Sequence, residues 1–187
     1  MILGAILAGG QARRFGSDKA QAIVDGVTLL DRVAKALAPQ VDALVVVGRD
    51  WPGIARVEDR PSPGMGPLGG LAGALDHACR HGFGAVLTSG CDLPELPDGL
   101  LERLTPGPAV IAGQPLLGLW SADLLTRLLH HLEVGDDRSM RGWIAAAGAR
   151  RVEPDAPIAN INTPEELDRF LAGRAALRPP AGPRSSR

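Results

Sequence analysis

The chain opens with the apolar run Ile2-Leu3-Gly4-Ala5-Ile6-Leu7, which ends in the small residues Ala8-Gly9-Gly10. A second apolar run, Ala43-Leu44-Val45-Val46-Val47, is rich in β-branched residues and ends at Gly48. Short continuous apolar runs of this kind are typical of parallel strands that are buried on both faces of a sheet. Between the two runs, apolar residues recur at helical spacing, at Leu29, Leu30, Val33, Ala34 and Leu37. The order strand, helix, strand predicts an α/β fold.

The same alternation continues through the rest of the chain. A loop rich in proline and glycine at 63–67 precedes a helix predicted over 68–80 and a buried strand over 85–88. Further strands are predicted at 109–112 and 115–120, and further helices at 121–132 and 141–147. Thr163-Pro164-Glu165-Glu166 has the pattern of a helix start, with Thr163 as the N-cap and a glutamate three residues later.

The length of 187 residues and the hydrophobic fraction of 45% fit one globular domain, which we place at residues 1–175. Residues 176–187 are rich in proline and polar residues and have no apolar pattern. A segment of this composition buries too little apolar surface to offset the entropy of ordering it. We therefore expect residues 176–187 to form a disordered tail.

Composition narrows the classes of function. The formal net charge of -1 argues against bulk nucleic-acid binding, which a basic domain normally carries. No apolar run approaches the ~18 residues that a membrane span requires. The two cysteines, Cys79 and Cys91, are too few for a disulfide framework. We therefore expect a cytoplasmic monomer with no nucleic-acid or membrane partner.

Several reactive or aromatic residues are interpreted as packing residues. Cys91 has no recognisable base beside it, and the helical pair His77 and His81 has no recognisable third metal ligand. The tryptophans, which are Trp51, Trp120 and Trp143, are interpreted in the same way.

The loop after the first strand is the strongest candidate for a phosphate site. It reads Gly9-Gly10-Gln11-Ala12-Arg13-Arg14-Phe15-Gly16-Ser17-Asp18-Lys19. Adjacent glycines let backbone N–H groups approach an anion closely, and Arg14 and Lys19 can neutralise phosphate charge. The loop matches neither the Walker A motif nor the dinucleotide fingerprint, so a plain glycine turn with solvated arginines is the alternative. A cradle for a triphosphate is the favoured interpretation.

Acidic residues follow two other predicted strands. Asp92 comes directly after a buried strand, where a carboxylate can meet Mg²⁺ that bridges substrate phosphates. Glu58-Asp59 follows a short strand and precedes the proline-rich loop. Each is also, taken singly, an ordinary turn or N-cap residue. Ligands of open α/β sheets bind beyond the carboxyl ends of the strands, so a basic loop and an acidic residue there together favour phosphoryl chemistry.

These residues resemble the molybdenum cofactor guanylyltransferase family over roughly residues 2–171. The markers are Leu7-Ala8-Gly9-Gly10 with Arg14, Gly16, Asp18 and Lys19, then Glu58-Asp59, Gly66-Pro67-Leu68, Cys91-Asp92-Leu93-Pro94 and Asn160-Ile161-Asn162-Thr163-Pro164-Glu165. The resemblance implies a Rossmann-like, three-layer α/β/α nucleotidyltransferase fold with a mostly parallel central sheet. One departure stands out, because the family usually carries an asparagine after the second strand where this chain has Gly48-Arg49-Asp50.

The resemblance also implies roles for individual residues. The backbone atoms of Leu7, Ala8, Gly9 and Gly10 would hold the nucleotide, together with Gly66 and Pro67. Lys19 and Arg14 would contact phosphate, Asp59 would bind the nucleoside, and Asp92 would be the metal ligand. Asn160 and Asn162 would lie near the acceptor or the metal, although asparagine before an N-capped helix is also common turn chemistry.

The reaction that the resemblance implies is transfer of GMP from GTP to molybdopterin with Mg²⁺ as cofactor. The resemblance also implies transient contact with molybdoenzymes or their chaperones. Cytidylyl transfer to the same acceptor is one alternative, but the sister family usually has Leu-Ala-Ala-Gly and Asp-x-Asp where this chain has Gly9-Gly10 and Asn160-x-Asn162. A sugar-1-phosphate nucleotidyltransferase is a second, although such enzymes place proline before the loop lysine. A non-catalytic nucleotide carrier is a third, against which Lys19 and Asp92 argue.

Overall fold

The computed structural model describes residues 1–9 and 18–177. Its strands are β1 (Ile2–Leu7), β2 (Ile23–Val24), β3 (Val27–Thr28), β4 (Ala43–Val47), β5 (Ala55–Val57), β6 (Ala85–Gly90), β7 (Ala109–Ile111), β8 (Gln114–Ser121) and β9 (Arg150–Val152). Its helices are α1 (Leu29–Leu37), α2 (Gly66–His81), α3 (Leu100–Leu104), α4 (Leu125–Val134), α5 (Met140–Ala147) and α6 (Pro164–Leu177). Short 3₁₀ turns lie at Lys19–Gln21, Ala38–Gln40 and Ala122–Leu124.

The central sheet has β1 in its middle. Within the described residues the strand order is β5-β4-β1-β6-β8-β7-β9, and β2 pairs with β3 in a separate hairpin. β1 pairs in parallel with β4 on one side and with β6 on the other, whereas β8 is antiparallel to both of its neighbours. The chain moves outward from β1 to β4 and β5, and then returns through α2 to β6 on the opposite side of β1. Such a reversal opens a crevice at the carboxyl ends of the strands.

Helices cover both faces of the sheet. Alternate strand residues such as Leu3, Val45 and Val86 pack against α2, α4 and α5. Residues of the opposite face, such as Ile6, Val46 and Leu87, pack against α1 and α3. Because both faces are buried, the strands are apolar at every position, which explains the continuous runs in the sequence. The three-layer α/β/α architecture with a mostly parallel sheet is confirmed.

Trp120 and Trp143 lie in the core on the α2 side of the sheet. Both are fully buried, and their ring centroids are 6.3 Å apart. Their interpretation as packing residues is therefore confirmed. In a chain with few aromatic residues, this pair fills the space between β8 and α5.

The β2–β3 hairpin, α3 and β9 were not predicted, and each is short. The β2–β3 hairpin turns through Asp25 and Gly26, which both have positive φ angles of 50° and 79°. An Asp-Gly pair between two apolar dipeptides is a known signal for such a turn, so the sequence did contain this information. α3 and the edge strand β9 have five and three residues, too few for a periodic pattern to identify them.

The last helix begins as predicted. The Thr163 hydroxyl accepts a hydrogen bond from the Glu166 amide, and the Glu166 carboxylate accepts one from the Thr163 amide, each at 3.2 Å. Leu167, Phe170 and Leu171 then pack against a small cluster that includes Val24 and Leu29. α6 runs to Leu177, two residues beyond the domain boundary predicted at 175. Residues 178–187 of the predicted tail lie outside the described residues.

No helix within residues 1–9 and 18–177 is both long enough and apolar enough to cross a bilayer.

We predict that alanine at Gly73 destabilises the protein, although glycine-to-alanine changes inside helices normally stabilise by up to about 1 kcal/mol. A Cβ at Gly73 would overlap the backbone carbonyl oxygen of Glu58, so α2 would have to move away from the end of β5. We expect Gly73→Ala to lower the free energy of unfolding by about 1 to 3 kcal/mol, as overpacked cores do, measured by urea denaturation.

Gly173 in α6 is the matched control, because a Cβ there would meet nothing within 4 Å. Gly173→Ala should leave the protein as stable or more stable. Equal stabilisation by both substitutions would contradict the close packing of α2 on the end of β5.

Candidate active site

A cleft of about 500 Å³ opens at the carboxyl ends of β1, β4 and β6. The residues that line it and that the sequence had identified as site residues are Leu7, Gly9, Lys19, Asp59, Gly66, Pro67 and Asp92. The lining residues that sequence analysis did not assign to the site are Val47, Gly64, Gly70, Gly90, Cys91 and Leu116. Most of these are glycines or apolar residues that shape the walls, and only their position in the fold marks them as part of a site.

The other predicted site residues have different positions. Gly10 and Arg14 lie outside the described residues. Ala8 is buried, and its amide donates to the carbonyl of Val47 within the sheet, so its carbonyl is the backbone group left for a ligand. Asn160 is exposed and is not among the residues that line the cleft.

Lys19 and Asp92 meet in this cleft, and Asn162, which is not among the residues that line it, contacts Lys19 from the segment before α6. The Lys19 ammonium donates to Asp92 Oδ2 at 3.0 Å and to Asn162 Oδ1 at 2.9 Å. The Lys19 and Asp92 side chains are only 15% and 18% exposed, so the ion pair is largely shielded from water. Three segments that are far apart in the sequence therefore place one cation and two oxygens in contact.

The chain around Asp92 holds its carboxylate in this position. A Cβ at Gly90 would overlap the Asp92 carboxylate, so any other residue at the end of β6 would displace that carboxylate. The amide of Ile161 donates to the Asp92 carbonyl at 2.9 Å, and Ile161 itself is buried. This hydrogen bond brings the segment that carries Asn162 alongside Asp92.

The two oxygens that converge on Lys19 are also of the type that binds hard cations. Among the described residues, no cluster of three or more His, Cys, Asp or Glu side chains could enclose a metal ion by itself. A metal at Asp92 would therefore take its remaining ligands from substrate phosphates and water, which is the usual arrangement for Mg²⁺.

Asp59 occupies the opposite wall, between three glycines. Its Oδ1 lies within 3.9 Å of the position that a Cβ would take at Gly9, Gly48 or Gly70, and its Oδ2 accepts from the amide of Gly64 at 3.1 Å. Burial raises the pKa of the Asp59 carboxyl. The glycines thus leave free space around an acceptor group that is partly withdrawn from water.

Gly48, where the family usually has asparagine, has a specific backbone role. Its φ angle is +84°, and a Cβ at Gly48 would lie 2.5 Å from the Cα of Gly9. The turns after β1 and β4 therefore touch each other through their glycines. Asp59 is the side chain that places a polar group beside Gly9 and Gly48.

Cys91 and the two helical histidines do not have the environment of catalytic groups. Burial, followed by the nearby Asp92 carboxylate, raises the pKa of the Cys91 thiol to about 11, so it stays protonated at neutral pH. His77 and His81 stack on each other on α2, with ring centroids 4.0 Å apart. The interpretation of all three as packing or surface residues agrees with this geometry.

Comparisons with known proteins identify the family of the chain. The family model of the MobA-like NTP transferase domain matches residues 4–152. A molybdenum cofactor guanylyltransferase from Rhodobacter capsulatus is 39% identical over 181 residues, which cover 90% of this chain and 94% of the relative. A molybdenum cofactor guanylyltransferase from Nitrobacter hamburgensis is 35% identical, and the alignment covers 88% of this chain and 90% of the relative.

A solved structure supports the fold independently. Molybdopterin-guanine dinucleotide biosynthesis protein A from Archaeoglobus fulgidus superimposes with a TM-score of 0.70 at 22% identity, over 94% of this chain and all of its own. At that identity the likeness concerns the fold alone. Because the curated relatives align over nearly their full length at well above 30% identity, the chain is a nucleotidyltransferase that belongs to the molybdenum cofactor guanylyltransferase family.

Proposed function

We propose that this protein transfers GMP from GTP to molybdopterin, with Mg²⁺ as cofactor, and forms the guanine dinucleotide cofactor and pyrophosphate. The observation that carries the proposal is the ion pair of Lys19 and Asp92 in a cleft at the carboxyl ends of the central strands, with Asn162 hydrogen-bonded to the same lysine. The relatives named as guanylyltransferases support the choice of nucleotide and acceptor.

The chemistry is a single displacement at phosphorus. An oxygen of the terminal phosphate of molybdopterin attacks the α-phosphorus of GTP, and the bond from that phosphorus to the bridging oxygen of the β-phosphate breaks. Pyrophosphate leaves with the electron pair of that bond. The attacking phosphate is already anionic near pH 7, so no general base is needed and the enzyme acts by positioning and charge stabilisation.

Positive charge in the cleft comes from Lys19, and the sequence predicts a further contribution from Arg14, which lies outside the described residues. The Lys19 ammonium is held at the carboxyl end of β6 before any ligand binds, so its orientation costs little when phosphate arrives. α2 begins at Gly66 beside the cleft, and its N-cap residue Met65 makes no side-chain capping bond. Pro67 has no N–H group, so Gly66 is the cleft-lining residue of this helix start whose amide could bind a ligand oxygen.

Asp92 is the residue that would hold Mg²⁺, with the Asn162 amide oxygen beside it. When bound, Mg²⁺ would neutralise charge on the triphosphate and on the departing pyrophosphate. Asp92 supplies a carboxylate in a partly buried position, and Lys19 balances that carboxylate in the absence of other cations. This pairing holds the carboxylate in a defined orientation, since an isolated charge would be unfavourable there.

Asp59 is the residue best placed to recognise the base. Guanine presents N1–H and N2–H₂ donors, and a carboxylate offers only acceptors. Asp59 Oδ1 faces the space between Gly9, Gly48 and Gly70, whereas Oδ2 is bonded to the Gly64 amide. A partly buried acceptor that a smaller pyrimidine leaves unpaired costs about 1 to 3 kcal/mol, which favours guanine.

The first prediction from this proposed function concerns Asp92. Asp92→Asn can still accept the hydrogen bond from Lys19 but loses the charge, so the fold should persist while turnover falls about 100-fold or more, equivalent to about 3 kcal/mol of transition-state stabilisation. Turnover is measured as dinucleotide formed from GTP and molybdopterin. Asp98→Asn, at an exposed aspartate on the same loop, is the matched control and should be as active as the wild type. A folded Asp92→Asn enzyme with normal turnover would remove Asp92 from the mechanism.

The second prediction concerns Lys19. Lys19→Ala removes a charge-assisted contact to phosphate, so kcat/KM for GTP should fall roughly 100-fold while the melting temperature changes by only a few degrees. Lys35, on the exposed side of α1, is the control, and Lys35→Ala should change neither quantity. If Lys19→Ala instead unfolds the protein at normal assay temperature, its role is structural.

The third prediction concerns the base. When GTP and CTP compete in the presence of Mg²⁺ and molybdopterin, GTP should be used at least about tenfold more efficiently, since ~1.4 kcal/mol of discrimination gives that ratio. The measurement is the ratio of the two dinucleotide products by mass spectrometry. An excess of the cytosine dinucleotide would assign this chain to the cytidylyl activity and would leave the fold and the site geometry unchanged.

A further inference from the structure

The turns that follow β1 and β4 are joined by an ion pair between Arg49 and Asp18. The Arg49 guanidinium donates to both carboxylate oxygens of Asp18, with 2.7 Å between Nη1 and Oδ1. The side chains are 25% and 34% exposed, so the pair is partly protected from water. Two parallel hydrogen bonds between planar groups define the relative orientation of the groups as well as their distance.

Asp18 directly precedes Lys19 and caps the 3₁₀ turn that contains it. Asp18 Oδ1 also accepts from the amide of Ala20 at 3.2 Å, and Oδ2 accepts from the Gln21 side chain at 2.8 Å. Ala20 is buried, which anchors the turn in the core on the α1 side. The direction in which Lys19 leaves the turn is therefore set by the orientation of the Asp18 carboxylate.

Arg49 is also linked, through Trp51 and Asp31, to the start of α1. Its guanidinium lies over the ring of Trp51, 5.6 Å from the ring centroid, and the Trp51 indole donates to Asp31 Oδ1 at 2.8 Å. Asp31 Oδ2 accepts from the hydroxyl of Thr28 at 2.7 Å, and Thr28 is the N-cap of α1. A continuous series of contacts thus runs from the start of α1, through Trp51 and Arg49, to Asp18.

We infer that Arg49 is a positioning residue, which holds Asp18 so that the following Lys19 points at Asp92 and Asn162 where the phosphates of the nucleotide bind. The inference rests on the proposed function for the identity of the phosphates. It assigns to Arg49 no contact with substrate, because its guanidinium is directed at Asp18 and Arg49 is not among the residues that line the cleft.

A double-mutant cycle separates this role from the two alternatives. Arg49→Met removes the pair but keeps much of the side-chain volume. If Arg49 acts through Lys19, kcat/KM should fall about tenfold or more in the wild-type background and less than about twofold in the Lys19→Ala background. A direct contact between Arg49 and phosphate, or a general structural role, would give the same fold loss in both backgrounds, and either result would overturn the inference.

Asp18→Asn tests the same link from the other side and replaces Arg49→Met if that variant fails to fold. It should reproduce the loss in kcat/KM, and the double variant with Arg49→Met should be no worse than either single one. Arg49→Lys keeps the charge but not the two parallel bonds, so it should recover only part of the activity. Full activity of Arg49→Met or of Asp18→Asn would also overturn the inference.

Arg56 offers the matched control at the neighbouring edge strand. It pairs with Asp50 and Glu58 at 2.9 and 2.6 Å, but its side chain is 40% exposed and it does not contact the turn that carries Lys19. Arg56→Met should have unchanged kcat/KM in both backgrounds.

Crystal structures of the wild type and of Arg49→Met separate a failure of the inference from a failure of the proposed function. If the wild type forms no guanine dinucleotide, the proposed function is wrong, and the position of Lys19 is still measurable. In Arg49→Met the Lys19 ammonium should no longer lie within hydrogen-bond distance of both Asp92 and Asn162. An unchanged Lys19 in that structure would overturn the inference whatever the enzyme's substrate.

Discussion

β1 is hydrogen-bonded in parallel to β4 on one side and to β6 on the other, and this pairing places three strand ends at one edge of the sheet. In register, Leu7 lies beside Val47 and Gly90, so the turns that follow begin at the same level. The loop that carries Lys19, the Gly48 turn and Asp92 are neighbours for that reason. Helices on both faces exclude water from the strands and make any other pairing unfavourable.

Charge balance governs the chemistry at this edge. Lys19 and Asp92 are each largely withdrawn from water, and their contact compensates part of the cost of burying either charge. The same requirement keeps Arg49 on Asp18, and the hydrogen bonds from Arg49 lower the pKa of the Asp18 carboxyl so that the pair stays ionised at neutral pH. For the proposed function, a site organised in this way would offer charge to a phosphate without first having to reorient its side chains.

Glycines provide the space in which these charges act. Gly9 and Gly48 bring two turns into backbone contact, and Gly90 allows the Asp92 carboxylate to lie against the end of β6. A side chain at any of these positions would fill the cleft or displace a functional group. The low aromatic content of the chain fits this design, since the nucleotide would be recognised through backbone groups and the Asp59 carboxylate more than through ring stacking.

The sequence by itself determined the order of the main strands and helices, the start of α6 and the chemical character of the loops after β1 and β6. Continuous apolar runs and helical periodicity record which surfaces are buried, so these features are readable locally. Only the tertiary structure decided that Lys19 meets Asp92 and Asn162, which lie 73 and 143 positions away, and that Arg49 supports the turn before Lys19. Local patterns carry no information about which strands pair across such separations, and the pairing of β1 with both β4 and β6 is what brings these side chains within hydrogen-bond distance.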